Sequence, residues 1–183
     1  MIEKYCLKYC KILGSPLGPA LPNIFMSQFD GRLSEGTKLY RRYVDDCLIV
    51  DGAPTSKLEV ANKLNPANLS FTLELESKDE SDSVGDPGNM RFSLPFLDIL
   101  ATRDAHAIST GWYRKPTDTG LVLSAMALAP RSFKRGMVLG TFHRIYNASS
   151  TWNLFHEGVN RFRETLRANG YSDADVDKWL TEF

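Results

Sequence analysis

Cysteines are few in this sequence, and their spacing fits no covalent framework. Cys6, Cys10 and Cys47 are the only three in 183 residues, an odd number without the spacing of a disulfide scaffold. Cys6 and Cys10 also lack a nearby second pair that would complete a four-ligand zinc site. We therefore expect reduced thiols, with neither a disulfide scaffold nor a zinc centre.

Long apolar runs and a net charge are absent as well. No stretch approaches the roughly 20 apolar residues that span a bilayer, and the first residues lack the apolar segment of a signal peptide. We expect an intracellular protein without a membrane partner, in either the nucleus or the cytoplasm. Because the 22 basic and 22 acidic side chains cancel, the bulk charge does not indicate a nucleic-acid partner.

The distribution of the charges is more informative than their sum. Residues 105–170 hold nine basic and three acidic side chains, whereas residues 51–104 hold five and ten. We predict that the basic segment contacts a nucleic-acid backbone, although some of these side chains would be the solvated faces of amphipathic helices. The candidate residues are Arg114, Lys115, Arg131, Lys134, Arg135 and Arg144. The aromatic residues Trp112, Tyr113, Trp152 and Trp179 would either stack on bases or belong to the core.

An acidic pair lies between two runs of strand-forming residues. Residues 38–51 predict two short strands joined by a tight turn that carries Asp45 and Asp46. Adjacent carboxylates repel each other unless a cation lies between them, and Mg²⁺ or Mn²⁺ prefers carboxylate oxygens. We predict that Asp45 is the main metal ligand and Asp46 a supporting one. The alternative is a polar turn whose carboxylates face water.

The remaining pattern predicts a mixed fold, with strands before helices. The residues around the expected helix ends have capping sequences, and the expected strands alternate or are rich in β-formers. In the first half, a turn at 14–19 leads into a helix that has Ser15 as N-cap and Pro16 at its first position and that ends near Gly36. A second helix runs from Ser56 to Leu64, with a capping box between Ser56 and Glu59, and it is followed by a strand at 71–76 and a solvated loop at 77–89. In the second half, we predict a hairpin around Asp104 with strands at 96–102 and 108–114, helices at 132–147 and 151–168 that stop at Asn169 and Gly170, and a short acidic helix capped by Ser172.

Several of these features occur in the order of the motifs of one polymerase family. The run Tyr43-Val44-Asp45-Asp46, preceded by the Gly-Ser-Pro-Leu-Gly-Pro turn and a helix, resembles adjoining motifs of the reverse-transcriptase palm. The later motifs resemble animal retroelement polymerases of the Penelope-like type, in which the segment after the palm is sometimes called a helix-turn-helix domain. These motifs are Phe-Leu-Asp at 96–98, Tyr-Arg-Lys-Pro-Thr at 113–117, Ser-Phe-Lys at 132–134, His143-Arg144 and Asn-Gly-Tyr at 169–171.

The resemblance implies an RNA-directed DNA polymerase with an α+β fold. An incomplete palm of antiparallel strands with helices would cover residues 1–117, and a helical thumb-like region would cover 118–183. The implied partners are an RNA/DNA template-primer duplex and, in a complete palm, deoxynucleotides. By resemblance, the catalytic residues Asp45 and Asp46 bind Mg²⁺ or Mn²⁺, Tyr43 lies beside the primer end, and Gly14, Ser15 and Pro16 approach the template and nascent base pair. A turn of small residues allows such an approach, although the same residues also suit plain helix initiation.

The family's remaining catalytic aspartate lies on a strand before the Gly-Ser-Pro turn, as do the fingers. None of the thirteen residues before Gly14 is aspartate, and nothing around Glu3 resembles that strand. We therefore expect that this chain alone does not extend a primer. The alternatives are a non-catalytic nucleic-acid-binding module built on the basic segment, and a protein-interaction module that docks through the acidic end helix and Trp179.

Overall fold

The computed structural model describes residues 2–8, 20–50, 70–78 and 91–183. These residues form an α+β fold of antiparallel strands and helices, which confirms the predicted class. They belong to two compact units: the first holds the described residues up to 78 together with Phe92–Phe96, and the second holds Arg91 and Leu97–Phe183. No helix within the described ranges is long and apolar enough to cross a membrane.

The first unit is built on a four-stranded antiparallel sheet. Its strands are β1 (Ile2–Lys8), β2 (Leu39–Tyr43), β3 (Asp46–Val50) and β4 (Ser70–Leu75), in the order β2-β3-β1-β4. Two further strands, β5 (Ser77–Lys78) and β6 (Phe92–Phe96), pair antiparallel with each other. The predicted acidic hairpin and the predicted strand from residue 71 are therefore both confirmed.

One helix, α1 (Ala20–Ser34), covers one face of the four-stranded sheet. Its apolar side chains Met26, Phe29 and Leu33 are buried against Cys47 and Ile49 of β3. The helix ends close to Gly36, as predicted, and Gly36 has a φ of 69°, which glycine adopts at helix ends without a steric penalty.

Two predicted elements lie outside the described residues. They are the turn with Gly14, Ser15 and Pro16, and the helix from Ser56 to Leu64. For these residues the expectations from the sequence stay predictions.

The second unit combines a hairpin with three helices among its described residues. The elements are β7 (Ile99–Arg103), β8 (Ile108–Trp112), α2 (Arg131–Ala148), α3 (Trp152–Ala168) and α4 (Asp173–Thr181). Strands β7 and β8 pair antiparallel around Asp104, as predicted. The buried core comprises Val138, Phe142, Ile145, Phe155, Val159, Phe162, Leu166, Tyr171, Val176 and Trp179.

Side-chain caps mark the beginnings of the last two helices. The Thr151 hydroxyl accepts a hydrogen bond from the Leu154 amide at 3.3 Å, and the Ser172 hydroxyl accepts one from the Asp175 amide at 3.2 Å. Gly170, between these helices, has a φ of 84°. The structure thus confirms the predicted cap at Ser172 and the predicted stop at Asn169 and Gly170.

Two predicted boundaries are wrong. The expected loop at 77–89 begins instead with strand β5, and residues 79–90 lie outside the described part. The expected strand at 96–102 is interrupted, because Leu97 and Asp98 form a turn and Leu97 has a φ of 55°. A large apolar residue rarely adopts this conformation, so its side-chain pattern predicted a continuous strand. Strands β1 and β6 were not predicted.

The second hairpin is tied to the helices. The Ser150 amide donates to the Thr110 carbonyl at 2.8 Å, and the Thr110 amide donates to the Ser150 hydroxyl at 2.9 Å. The ring of Trp112 meets that of Phe162 edge-on at 6.1 Å. The hairpin is therefore part of the second unit together with the helices.

Candidate functional site

The acidic pair lies at the tip of a hairpin with a two-residue turn. Tyr43 is paired with Asp46 in the sheet, which leaves Val44 and Asp45 as the turn. Val44 has a φ of 56°, a left-handed conformation that costs an L-residue about 1–2 kcal/mol. Backbone strain of this kind persists only where the surroundings impose it, and it is concentrated at functional sites.

An arginine on β2 holds this turn. The Arg42 guanidinium donates to the Val44 carbonyl at 2.9 Å and pairs with Asp30 of α1, with Nε–Oδ1 and Nη2–Oδ2 distances of 2.7 and 2.8 Å. The Tyr40 hydroxyl donates to the same carboxylate at 2.6 Å. Burial alone would raise the pKa of Asp30, but the hydrogen bonds from Arg42 and Tyr40 outweigh it and lower that pKa. Asp30 is therefore an ionised anchor for the hairpin.

The two faces of β3 have different surroundings. Cys47 and Ile49 are buried against α1, and burial raises the pKa of the Cys47 thiol to about 11. Because side chains alternate along a strand, Asp46 lies on the opposite face, together with its cross-strand partner Tyr43. Tyr43 is 62% exposed. The carboxylate of Asp46 and the ring of Tyr43 thus share the face of the sheet that α1 does not cover.

Strand β1 runs beside β3 and supplies no third acid at the hairpin tip. The backbone register pairs Asp46 with Cys6, whereas Glu3 pairs with Ile49 at the other end of β3. Within the described residues, no three His, Cys, Asp or Glu side chains are grouped as metal ligands. Asp45 and Asp46 still fit Mg²⁺ in donor type, since this ion commonly binds one or two carboxylates and completes its coordination with water and substrate phosphates.

Three of the predicted backbone-binding residues come together in the second unit. Arg114, Lys115 and Arg144 line a cavity of about 390 Å³ with Trp112 and Tyr113, which we call the basic cleft. Its remaining lining includes Asp98, Asp118, Thr141, Phe162 and Thr165. The end of β8, the loop that follows it and the helices α2 and α3 form this cleft, so the fold juxtaposes residues that are 30 positions apart in the sequence.

The cations of the basic cleft differ in how firmly they are held. Arg114 donates to Asp118 at 2.9 Å and to the Thr165 hydroxyl at 2.6 Å, and its guanidinium lies 5.6 Å from the centre of the Trp112 ring. The hydrogen bond from Arg114 lowers the pKa of Asp118 to about 2. Arg144 forms an exposed pair with Asp98, and Lys115 is exposed. Lys115 is thus the cation of the cleft that a phosphate can reach directly, and Arg144 becomes available when it exchanges Asp98 for a phosphate.

The other three predicted residues lie on the first turns of α2, away from the lining of the basic cleft. Lys134 donates to the Ala125 carbonyl at 2.6 Å. Arg131 pairs with Asp175 at 2.5 Å and Arg135 with Glu182 at 2.7 Å. The sequence indicated the basic residues but not these acidic partners, because each pair joins positions more than 40 residues apart.

The aromatic residues divide between core and surface. Trp179 is 4% exposed and packs against Tyr171 at a ring separation of 6.0 Å. The protein-interaction alternative requires an exposed Trp179, and the buried position of this side chain does not meet that requirement. Trp152 is 66% exposed, whereas Trp112 is half-buried against the helical core.

Comparison with known proteins finds a similarity in the helical part of the chain. Residues 123–181 match the family model of the animal helix-turn-helix domain. This segment contains α2, α3 and α4 together with the end of the preceding loop. No curated protein and no solved structure matches the chain. The second unit is thus similar, over its helical part, to an animal helix-turn-helix domain.

Proposed function

We propose that this chain is the later part of a reverse-transcriptase palm joined to a thumb-like helical region, and that it binds an RNA/DNA template-primer duplex. The observation that carries this proposal is the acidic hairpin: a strained two-residue turn, held by Arg42, with Asp46 and Tyr43 on the face opposite α1. A two-residue hairpin turn requires a positive φ at its first residue, and here a β-branched valine, which rarely adopts it, does so directly before the two carboxylates.

In this proposal each group at the hairpin has a separate task. Asp45 and Asp46 bind Mg²⁺ or Mn²⁺, and the bound metal supplies charge neutralisation for phosphoryl transfer. Arg42 and Asp30 fix the orientation of the turn. Tyr43 packs beside the primer end, and deoxynucleotides are partners of the complete palm. Catalysis requires a further aspartate from a neighbouring strand, and β1 carries none.

A paramagnetic ion tests the metal site. Adding small amounts of Mn²⁺ to isotope-labelled protein is expected to broaden the amide NMR signals of residues 43–47 selectively, because oxygen ligands concentrate the ion there. Asp104 is the matched control, since it also lies at a hairpin tip but accepts hydrogen bonds from the amides of His106 and Ala107 at 2.7 Å.

Asp45→Asn with Asp46→Asn should abolish the selective broadening, whereas Asp104→Asn should leave it unchanged. Equal broadening at the two hairpin tips would show that Mn²⁺ meets only general surface charge, and the polymerase proposal would lose its metal site.

A second candidate function is nucleic-acid binding without catalysis. The basic cleft, together with the similarity to a helix-turn-helix domain, favours it. In both readings Lys115 and Arg144 contact backbone phosphates, which gives sequence-independent and salt-sensitive binding. The Mn²⁺ test separates the two hypotheses, because only the polymerase hypothesis requires ion binding at the hairpin.

Neutralising the basic cleft tests the duplex contact. Lys115→Gln with Arg144→Gln is expected to weaken binding of a fluorescent RNA/DNA hybrid about tenfold at low salt and to reduce the salt slope by about 2, because two phosphate contacts are lost. Fluorescence anisotropy over a salt series measures both quantities.

The matched control is Arg161→Gln with Lys178→Gln, an equal change of charge on exposed residues of the same unit that do not line the cleft. Equal weakening in the two double variants would show that the cleft is not the contact surface. Absence of hybrid binding by the unaltered protein would overturn the proposed function itself.

A further inference from the structure

The acidic helix α4 is paired with arginines of its neighbouring helices. Each of four carboxylates at or just after this helix contacts one arginine on α2 or α3. The pairs are Asp173 with Arg167 at 2.7 Å, Asp175 with Arg131 at 2.5 Å, Glu182 with Arg135 at 2.7 Å, and Asp177 with Arg163. Arg163 is only 24% exposed, so we call the other three arginines, Arg131, Arg135 and Arg167, the arginine surface.

The pairs formed by the arginine surface are open to solvent, whereas the helix itself is anchored. The side chains of Arg131, Arg135 and Arg167 are 69%, 48% and 54% exposed, and exposed pairs of this kind hold their partners only weakly because water and salt screen them. In contrast, Val176 and Trp179 are buried in the core. The arginines can therefore exchange their partners while α4 remains in place.

The position of α4 in the helix-turn-helix segment makes its charge significant. In DNA-binding members of this motif class, the second helix of the pair enters the major groove between two rows of phosphates. The matched segment holds two successive helix pairs, α2–α3 and α3–α4. In the second pair the later helix is α4, which carries Asp173, Asp175 and Asp177. Carboxylates gain nothing from counterion release and are repelled by phosphates, so α4 is unsuited to lie in a groove.

We infer that α4 is an intramolecular competitor of nucleic acid, whose carboxylates occupy the arginine surface and weaken its binding to a phosphate backbone. The inference rests on the proposed nucleic-acid binding. Besides the basic cleft, it gives the protein a second contact surface, whose affinity for nucleic acid α4 lowers. A carboxylate and a phosphate oxygen form the same charge-assisted hydrogen bonds with a guanidinium, so that one excludes the other. The ligand that competes with α4 for the arginine surface is the phosphate backbone of a duplex.

Removing two of the carboxylate charges tests the inference. Asp175→Asn with Glu182→Gln frees Arg131 and Arg135, and it is expected to tighten binding of a fluorescent RNA/DNA hybrid about fivefold or more and to steepen the salt slope by about 2. The control is Glu157→Gln with Glu164→Gln, which removes two exposed charges from α3 of the same unit. Equal tightening in both variants would reflect net charge alone and would overturn the inference.

A further pair of substitutions identifies the surface that gains affinity. Adding Arg131→Gln and Arg135→Gln to the α4 variant should abolish the gain, because the freed arginines are then absent. A gain that persists without them would also overturn the inference.

Two controls keep the result interpretable. The first control is Glu182→Gln alone, because residue 182 lies beyond the end of α4 at Thr181 and the substitution leaves Val176 and Trp179 buried. This variant should bind the hybrid more tightly than the unaltered protein, but by less than the double variant. Unchanged affinity would count against the inference. If the unaltered protein binds the hybrid but neither α4 variant binds it more tightly, only this inference fails. If none of the proteins binds the hybrid, the proposed function fails.

Discussion

Replacing Phe142 with alanine is expected to lower the free energy of unfolding of the second unit by about 3–5 kcal/mol. Phe142 is fully buried, and its ring meets that of Phe162 edge-on at 5.8 Å. The substitution removes this apolar contact and leaves a cavity between α2 and α3. Urea unfolding followed by tryptophan fluorescence measures the loss selectively, because all three tryptophans lie in the second unit.

Phe133 provides the matched control for this prediction. It lies on the same helix but is 69% exposed, so Phe133→Ala should change the free energy of unfolding by no more than about 0.5 kcal/mol. Similar losses in the two variants would contradict the helical core described above.

Gly158→Ala is expected to destabilise the second unit by about 1–3 kcal/mol, although alanine favours helix more than glycine does. A Cβ at position 158 would lie 2.6 Å from the Cγ2 atom of Ile145, and Ile145 is fully buried. Because Ile145 is fully buried and its β-branched side chain is restricted in χ1, we expect one of the two helices to shift. The same urea titration measures this loss.

Gly140→Ala should have the opposite effect. A Cβ at this exposed position of α2 would have no atom within 4 Å, so the variant should gain about 0.5–1 kcal/mol from helix propensity and a more restricted unfolded chain. If both glycine variants proved more stable than the original protein, the close crossing of α2 and α3 at Gly158 would be wrong.

Local patterns in the sequence were sufficient to predict several elements. The acidic hairpin follows from strand-forming residues on both sides of Asp45 and Asp46, and the last helices follow from apolar spacing and from the cap at Ser172. In these cases the signal and the structure involve the same few residues. The left-handed conformation of Leu97 had no such local signal, so the turn that it forms was missed.

The contacts that organise the candidate sites could not be predicted in the same way. Arg42 donates directly to the Val44 carbonyl and is itself positioned by Asp30, a helical residue 12 positions earlier. Only the packing of α1 on the sheet brings these groups together. Likewise, the basic residues of the second unit were identified as candidates, but their division between the basic cleft and the arginine surface depends on tertiary structure.

Gly158 illustrates how tertiary packing can reverse a sequence-based expectation. From propensity alone, a glycine within α3 indicates a weak point of that helix. In the structure, the absence of a side chain lets Ile145 of α2 approach closely. The residue that costs local stability thus permits the helix crossing on which the core depends.

The bonds between Thr110 and Ser150 have a consequence for inheritance of the helical segment. A gene fragment beginning at residue 123, where the similarity to the helix-turn-helix domain starts, would encode all three helices but not β8. Its product would lack the backbone partners of Ser150 and the indole of Trp112 that covers the edge of Phe162. The segment that sequence comparison recognises is therefore smaller than the compact unit to which it belongs, and a product limited to that segment is expected to be less stable than one that keeps the hairpin.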